Sequence, residues 1–378
     1  MEDEGVPVSA QPELPPAERE QGRRAPATRA DVAKLAGVST AVVSYVVNNG
    51  PRPVAPATAE RVREAMSLLG YRPNASARAL RRGTTELLGL VITDSLNPYF
   101  VEYTAELVKA AARLGKRILI ADSYQDERAE AAIVDDLVSR QVDGLLFASA
   151  FARFDRSQVF QSADIPTVLI DCPGPVPGRR TVGSDAGGAA EMLVGHLLGH
   201  GRRRIGMVIG DGGFGDPDPR ERGWRRALRA AGLPDGAIVR VPWSREGGYA
   251  GAAALLDQDP TLDAVFASND QQAIGLLRAL HERSIRIPED IAVVSFDGTK
   301  ESEFAWPSLT VARQPLPELA AASLALLDKP APARGIHRQF QTELVRRASC
   351  GCVATDIEPT RVDIVTRDPN PTERPPHD

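Results

Sequence analysis

The sequence predicts an α/β protein: a small all-α module precedes a two-lobed core that is built on parallel sheets. Residues 27–83 contain only short helical patterns and carry a net charge of +6, whereas the rest of the chain carries −11. Residues 86–350 alternate apolar, strand-like runs with amphipathic helical patterns, which is typical of βαβ units. Seven such runs exceed one compact lobe, so two doubly wound subdomains are expected.

Length and composition limit the class of protein. The 378 residues suffice for two or three domains, and no apolar run approaches the ~20 residues that span a bilayer. The acidic start, Met1–Glu4, differs from a basic and then apolar export signal. Three cysteines form no disulfide framework. We therefore expect a protein of the reducing cytoplasm with no membrane partner, flanked by disordered, proline-rich tails at residues 1–26 and 356–378.

Residues 27–72 are predicted to form a helix-turn-helix domain. Thr28 can cap a first helix, Gly37 supplies the left-handed conformation that ends it, and Ser39 can cap the second helix. A third helix is predicted from Pro56 to Leu69. The caps and the positive charge favour DNA binding over a merely packed helical bundle. The expected buried faces are Val32, Ala33, Leu35 and Ala36 in the first helix and Val42, Val43 and Val46 in the second, which carries Thr40, Ala41, Ser44 and Tyr45 toward its other side.

Residues 73–83 are predicted to link the two parts of the chain. Pro73 discourages continuation of the third helix, and Asn74 can cap a new helix of about two turns. Because so short a helix is marginal in water, it would form only when DNA or a partner stabilises it. From these residues alone, an ordinary basic tether is an equal alternative.

Polar residues follow several of the strand-like runs in residues 84–355, where parallel sheets bind their ligands. These candidates are Asp94–Phe100, Asp171, Arg220, Ser268–Asp270 and Phe296–Gly298. A guanidinium, an amide and carboxylates around an aromatic ring suit a polyhydroxylated ligand, because sugars need paired donors and acceptors beside an apolar face. Each residue could instead be an ordinary strand-end or cap residue.

Three other motifs are weak signals for chemistry. Gly210–Gly215 fits the dinucleotide-binding spacing, but Asp216–Pro219 follows in place of a helix, so the phosphate would lack a helix N-terminus. His196 and His200 are four apart in a helical pattern, yet no third metal ligand is apparent in the sequence. Cys350-Gly-Cys352 has the wrong spacing for a redox pair. We expect no catalysis, no cofactor and no metal.

The N-terminal residues resemble the LacI/GalR family of bacterial transcriptional regulators. The matching stretches are Asp31-Val-Ala-x-x-Ala-Gly-Val-Ser39, Val43-Ser-Tyr-Val-Val-Asn48, Gly70-Tyr-Arg-Pro-Asn74 and Ala77-Arg-x-Leu80, and Ala55 departs from the family's usual capping serine. The resemblance implies that Thr40, Ala41 and Tyr45 set DNA specificity, that Asn48 contacts the backbone, and that Leu80 on a hinge helix wedges into the minor groove of a pseudopalindromic operator. It places Ser44, Asn74 and Ala77 in the same DNA-binding motifs.

The same resemblance extends to a periplasmic-binding-protein-like core with a ligand cleft between its lobes. It implies that Arg220, Asn269 and Asp297 contact a small-molecule effector, with Asp171 and Phe100 as further contacts. The predicted function is a sequence-specific repressor that a sugar or related metabolite controls by binding its conformations unequally. The proline-containing tail after Asp356 has no leucine heptad, which indicates a homodimer. The alternatives are a solute-binding protein for sugar uptake and, on the glycine-rich loop alone, an NAD-dependent enzyme.

Overall fold

The computed structural model describes residues 27–48, 50, 52–73, 79, 83–149, 165–212, 217–328 and 335–352. The chain divides into two compact units, residues 1–81 and 82–378, here called the helical unit and the α/β unit. The helical unit contains α1 (Arg29–Ala36), α2 (Thr40–Asn48) and α3 (Pro56–Leu68). The α/β unit contains, in chain order, β1 (Leu87–Ile92), α4 (Pro98–Arg113), β2 (Arg117–Asp122), α5 (Glu127–Ser139), β3 (Gly144–Phe147), β4 (Thr167–Leu169), β5 (Arg180–Ser184), α6 (Ala186–Gly199), β6 (Ile205–Gly210), α7 (Pro219–Ala230), β7 (Ile238–Val241), α8 (Arg245–Gln258), β8 (Ala264–Ala267), α9 (Asp270–Glu282), β9 (Ala292–Asp297), α10 (Lys300–Phe304), β10 (Thr310–Arg313), α11 (Leu316–Leu327), β11 (Ile336–Phe340), β12 (Glu343–Val345) and a 3₁₀ turn at Ala348–Cys350.

Local hydrogen bonds fix the corner of the helical unit. The backbone N–H of Asp31 donates to Thr28 Oγ1, and the N–H of Thr28 donates to the Asp31 carboxylate, which makes a capping box at the start of α1. Gly37 ends α1 at φ +65°, and Ser39 Oγ accepts from the N–H of Val42 at the start of α2. The two helices therefore meet at 104°, within the ~90–120° of a helix-turn-helix.

The core of the helical unit differs in two positions from the sequence expectation. Val32, Val43 and Val62 are fully buried, one from each helix, with Ala33, Ala36 and Ala65 around them. Leu35 is 52% exposed, because the short α1 needs only the positions of Val32, Ala33 and Ala36 against its neighbours. The apolar stripe of α2 consists of Val43, Val46 and Val47, which have i, i+3, i+4 spacing, and Val42 lies beside it.

Two six-stranded sheets form the layers of the α/β unit. The first has the order β11-β5-β4-β3-β1-β2 and is parallel throughout, with one apolar cluster under α4 and α11 and another under α5. The second has the order β12-β10-β9-β8-β6-β7, in which only β12 is antiparallel. Its clusters lie under α6 and α7 on one face and under α8 and α9 on the other. Both lobes therefore have the doubly wound arrangement that the alternating pattern predicts.

The chain passes between the lobes three times. It leaves the first sheet after β5 and enters α6, returns from β10 of the second sheet to α11, and crosses again between β11 and β12. Gln314 lies at the second crossing, where its side chain accepts from Ser184 Oγ at the end of β5 (2.7 Å) and donates to Asp297 Oδ1 at the end of β9 (3.0 Å). One amide thus ties together strand ends from both lobes.

Candidate functional site

A cavity of about 180 Å³ lies between the lobes, where strands of both sheets end. At ~10–15 Å³ for one water-sized group, it has room for roughly a dozen such groups, which is the size of a small molecule. All five candidates from the sequence, Phe100, Asp171, Arg220, Asn269 and Asp297, line this cavity. The structure therefore brings together residues that are up to 197 positions apart in the chain.

Arg220 is the buried cation of the cavity. It follows Asp218, the N-cap of α7, whose carboxylate accepts from the guanidinium in a bidentate pair with both contacts at 2.9 Å. Nη1 donates to the carbonyl of Ser268, and the guanidinium lies over the Trp243 ring at 4.4 Å. Burial alone would raise the pKa of Asp218, but the charge and hydrogen bonds of Arg220 outweigh it and lower that pKa. Asp218 and Arg220 thus form an ionised, oriented pair.

Two further carboxyl groups face the same cavity without a bidentate partner of this kind. Asp171 accepts from the Tyr99 hydroxyl at 3.0 Å, and burial raises its pKa to about 6, although Arg220 and Tyr99 oppose the shift. Burial, together with the neighbouring carboxylates of Asp270 and Asp171, raises the pKa of Asp297 well above its ordinary value. These two groups can accept hydrogen bonds from ligand hydroxyls, or donate when protonated.

Asn269 and Phe100 complete the predicted set. Asn269 caps α9 through Oδ1, which accepts from the N–H of Gln272 at 2.8 Å, and no described residue accepts from its Nδ2. Phe100 lies in the first turn of α4 and is 6% exposed. On the other lobe, Phe296 and Trp243 also line the cavity. The cavity therefore combines a donor amide, a guanidinium and carboxyl groups with aromatic faces.

Further residues that were not predicted from the sequence also line the cavity, among them Asp218, Trp243, Gln314 and Ser184. Asp218 carried a usable signal, because an aspartate two positions before Arg220 can cap the same helix that Arg220 opens. Trp243 and Gln314 follow β7 and β10, strands that were not predicted from the sequence. Ser184 ends β5, which was likewise not predicted.

Packing explains why the first residue of the glycine-rich loop, Gly210, is a glycine. A Cβ on Gly210 would lie 1.7 Å from the Trp243 ring, so the ring occupies the space that any side chain at 210 would need. The Trp243 Nε1–H donates to the carbonyl of Gly212 at 3.1 Å. Gly210 therefore lets Trp243 reach Arg220, a role that needs no phosphate.

The predicted DNA-reading residues lie on α2. Thr40 and Ala41 are exposed in its first turn, and Ser44 and Tyr45 are partly exposed one turn later. Asn48, in the last turn, donates through Nδ2 to the carbonyl of Ser44 at 2.8 Å and to its hydroxyl at 3.2 Å, while its Oδ1 is buried with no hydrogen-bond partner in the described chain. The other three predicted contacts, Asn74, Ala77 and Leu80, lie outside the described residues.

The expectation that His196 and His200 lack further ligands is wrong. Cys350 and Cys352, treated as a separate motif in the sequence, lie beside both histidines, and the four potential ligand atoms are within 4.8 Å of one another. No local pattern predicts this cluster, because about 150 residues separate its two halves in the chain.

Within the described ranges, no single helix is long and apolar enough to cross a membrane. α1 and α2 pass that length and hydropathy test only as a bent pair.

Comparison with known proteins gives two family matches and many relatives. Residues 28–74 match the model described as bacterial regulatory proteins, lacI family, and residues 194–350 match a periplasmic binding protein-like domain. The transcriptional regulator DegA of Bacillus subtilis is 35% identical over 298 residues, which are 77% of this chain and 87% of DegA. The ribose operon repressor of Escherichia coli is 32% identical and covers 84% of this chain and 94% of its own.

Solved structures agree with these matches. The lac repressor dimer bound to operator and the anti-inducer ONPF has a TM-score of 0.76 at 25% identity, and the match covers 86% of this chain and 99% of that one. The complex of the regulator CelR with cellobiose has a TM-score of 0.64 at 29% identity, covering 85% and 99%. On its helix-turn-helix, its two-lobed unit and these matches, the chain belongs to the lacI family of bacterial transcriptional regulators.

Proposed function

We propose that this protein is a cytoplasmic repressor that binds a pseudopalindromic operator as a homodimer and is controlled by a sugar in the cavity between its lobes. The observation that carries the proposal is the presence, in one chain, of an exposed α2 at a 104° corner and a small polar cavity with aromatic walls. The match to the lacI family model favours a regulator over a solute-binding protein for uptake. Regulators among the relatives, and the packing role of Gly210, favour a binding protein over an NAD-dependent enzyme.

The helical unit supports DNA binding by charge and by exposure. The sequence of residues 27–83 carries +6, which favours contact with phosphates, and these contacts set affinity rather than sequence preference. We assign base reading to Thr40, Ala41, Ser44 and Tyr45, since the first turns of α2 reach base edges in this motif. Asn48 would contact the backbone, and Asn74, Ala77 and Leu80 would act in the hinge.

The cavity supports a sugar by its polar groups. Asp171 and Asp297 accept from hydroxyl groups, Asn269 Nδ2 and Arg220 donate, and Phe100 supplies an apolar face. Relatives include a ribose operon repressor and a regulator solved with cellobiose. Because Gln314 joins Ser184 to Asp297 across the lobes, a ligand bound to Asp297 would favour one arrangement of the lobes over another.

Exposed apolar side chains support the dimer. Val101 and Val108 on α4 and Ile120 on the edge strand β2 are 54%, 42% and 53% exposed. Exposed apolar side chains on an edge strand and on the neighbouring helix suit a second copy of the same surface. The lac repressor structure that matches this chain is a dimer on its operator.

The DNA assignment is tested with full-length protein selected against random duplex DNA. Tyr45→Ala should weaken binding to the selected operator by roughly tenfold to a hundredfold, since a base contact contributes about 1–3 kcal/mol. Ser67→Ala, an exposed change on α3, serves as the matched control and should leave affinity unchanged. Equal operator affinities for wild type and Tyr45→Ala would contradict the assignment.

The effector assignment is tested by screening metabolites for a change in operator binding. Arg220→Ala should abolish the response and keep operator binding. Because loss of one member of a buried ion pair can destabilise the fold, the double variant Asp218→Asn/Arg220→Gln removes both charges together. Arg278→Ala, which breaks an exposed ion pair on α9, is the control. A normal response in the Arg220 variants would place the effector elsewhere.

A further inference from the structure

A compact group of two histidines and two cysteines lies in the second lobe of the α/β unit. His196 Nε2 is 3.2 Å from Cys350 Sγ and 3.5 Å from Cys352 Sγ. Cys352 Sγ is 3.4 Å from His200 Nε2, and the two sulfur atoms are 3.3 Å apart. Neither cysteine is in a disulfide. All four ligand atoms therefore converge on one small volume.

Local backbone geometry aims both pairs at this volume. His196 and His200 are four residues apart at the C-terminal end of α6, so both rings project from one face of the helix, with centroids 4.7 Å apart. Cys350 ends the 3₁₀ turn, and Gly351 at φ +97° reverses the chain. This reversal brings Cys352 back to the side of Cys350. Two independent short motifs thus meet as a four-ligand set.

The spacing agrees with a tetrahedral zinc ion. With Zn–S of ~2.3 Å and Zn–N of ~2.0–2.1 Å, the edges of a Cys2His2 tetrahedron are about 3.8 Å for S–S, 3.6 Å for S–N and 3.3 Å for N–N. The observed S–N contacts of 3.2–3.5 Å and the S–S contact of 3.3 Å are shorter than these edges by up to about 0.5 Å, and the other two pairs lie within 4.8 Å. Small rotations of the four side chains would therefore bring the ligand atoms to the corners of one tetrahedron.

The protonation and charge of the group suit the same ion. A histidine binds a metal ion through a neutral imidazole, and a cysteine binds it as a thiolate. Binding would release the two thiol protons to solvent, and two thiolates with two neutral imidazoles would balance the 2+ charge. Two sulfur and two nitrogen ligands in a tetrahedron are typical of zinc.

We propose that His196, His200, Cys350 and Cys352 form a closed, structural Zn²⁺ site that fastens the segment after β12 to α6. Four protein ligands leave no open position for a substrate, which distinguishes this site from a catalytic one. Because the first residue of α6, Ala186, lines the cavity, the ion would hold the distal end of a helix whose other end meets the proposed effector.

The first experiment measures zinc bound to the full-length chain after reduction, incubation with zinc chloride and desalting. Wild type should retain about one ion per chain. Cys352→Ser and His200→Asn should lose it; both side chains are at least partly exposed, so these variants should fold. Cys172→Ser and His281→Asn change the remaining cysteine and a histidine outside the cluster, and both should bind as wild type does.

Cobalt substitution and thermal unfolding distinguish a built site from loose binding. The cobalt form should show the intense visible bands of tetrahedral Co²⁺ and a thiolate charge-transfer band, which weakens in Cys352→Ser. Zinc should raise the Tm of wild type by several degrees and leave that of His200→Asn unchanged. Wild type that retains no more zinc than His200→Asn, octahedral cobalt spectra, or a Cys350–Cys352 disulfide that persists after reduction would each overturn the proposal.

Discussion

The helical unit and the α/β unit acquire their candidate binding surfaces in opposite ways. In the helical unit, the exposed face of α2 consists of residues within one nine-residue segment, and its orientation depends on the adjacent corner at Gly37. In the α/β unit, the cavity depends on contacts between distant segments, such as Trp243 lying on Gly210 and Gln314 joining Ser184 to Asp297. The exposed face of α2 can therefore be predicted from the local sequence, whereas the cavity depends on how the two sheets are assembled.

The largest expected effect is on effector binding, at the close contact between Gly210 and the Trp243 ring. Gly210→Ala would place a Cβ 1.7 Å from the Trp243 ring, so the ring must leave its position against the Arg220 guanidinium. We expect effector binding to fall more than tenfold, while operator binding, which uses the other unit, persists. Gly195→Ala, in α6 and away from the cavity lining, is the control, because a Cβ there has no atom within 4 Å. Equal effector affinities for the two variants would contradict the packing role of Gly210.

The second prediction compares two apolar residues of the helical unit. Val43→Ala removes a fully buried side chain from a small core and should cost about 2 kcal/mol, which is a large share of the stability of so small a unit. Leu35→Ala, at a position 52% exposed, should cost less than about 0.5 kcal/mol. Hydrogen exchange of amides in α1–α3 measures both. Similar losses of stability in the two variants would mean that Leu35 is buried, as the sequence pattern predicted.

The sequence predicted most where periodicity and caps are local. The seven strand-like runs correspond to β1–β4, β6, β8 and β9, and the three helices predicted in residues 27–72 occur with nearly the same bounds. The sequence pattern missed β5, β7, β10, β11 and β12, each of which includes a charged side chain among only three to five residues and so forms no apolar run. Leu35 and Val42 were misplaced because a helix of eight or nine residues allows several apolar faces.

The candidate cavity was predictable only in part. Strand-end position and family resemblance located both residues, since Arg220 lies in the first turn of the predictable helix α7 and Asp297 ends the predictable strand β9. Trp243 and Gln314 follow strands that the hydrophobic pattern of the sequence does not show. Cys350 and Cys352 follow β12, whose pairing with β10 brings them close to α6. These contacts depend on which distant strands pair with each other, and no local sequence pattern shows this pairing.

The third prediction concerns the pH dependence of stability that one cavity residue, Asp171, contributes. Asp171 has a pKa of about 6 in the folded chain against an ordinary 3.8, so between these values the folded state binds more protons than the unfolded state. The contribution of this group to stability therefore falls as pH rises from about 4 to about 6. Asp171→Asn cannot ionise, tolerates the positive φ of 53° and still accepts from Tyr99.

We thus expect the Tm of Asp171→Asn minus that of wild type to increase over this window and to level off above it. Tryptophan fluorescence measures the α/β unit alone, because all three tryptophans, Trp224, Trp243 and Trp306, belong to it. A difference that does not change with pH would mean that the carboxyl group is solvated in the folded protein.

The smallest effect is expected at the start of α3, where a local change should act within the helical unit alone. Ala55 is the N-cap of α3, with extended dihedral angles (φ −54°, ψ 138°) and no side-chain hydrogen bond to the first turn. Ala55→Ser would supply an oxygen for the N–H of Thr58 and should stabilise the helix by about 0.5–1 kcal/mol. Hydrogen exchange of the α3 amides should slow roughly twofold to fivefold, while the Tm of the α/β unit stays constant. Ala57→Ser makes the same chemical change inside the helix, where serine is a poorer helix former than alanine, so exchange there should quicken slightly. If both serines changed amide exchange equally, the gain in helix stability would not come from capping. The conclusion that short-range contacts determine the structure of the helical unit would then be weakened.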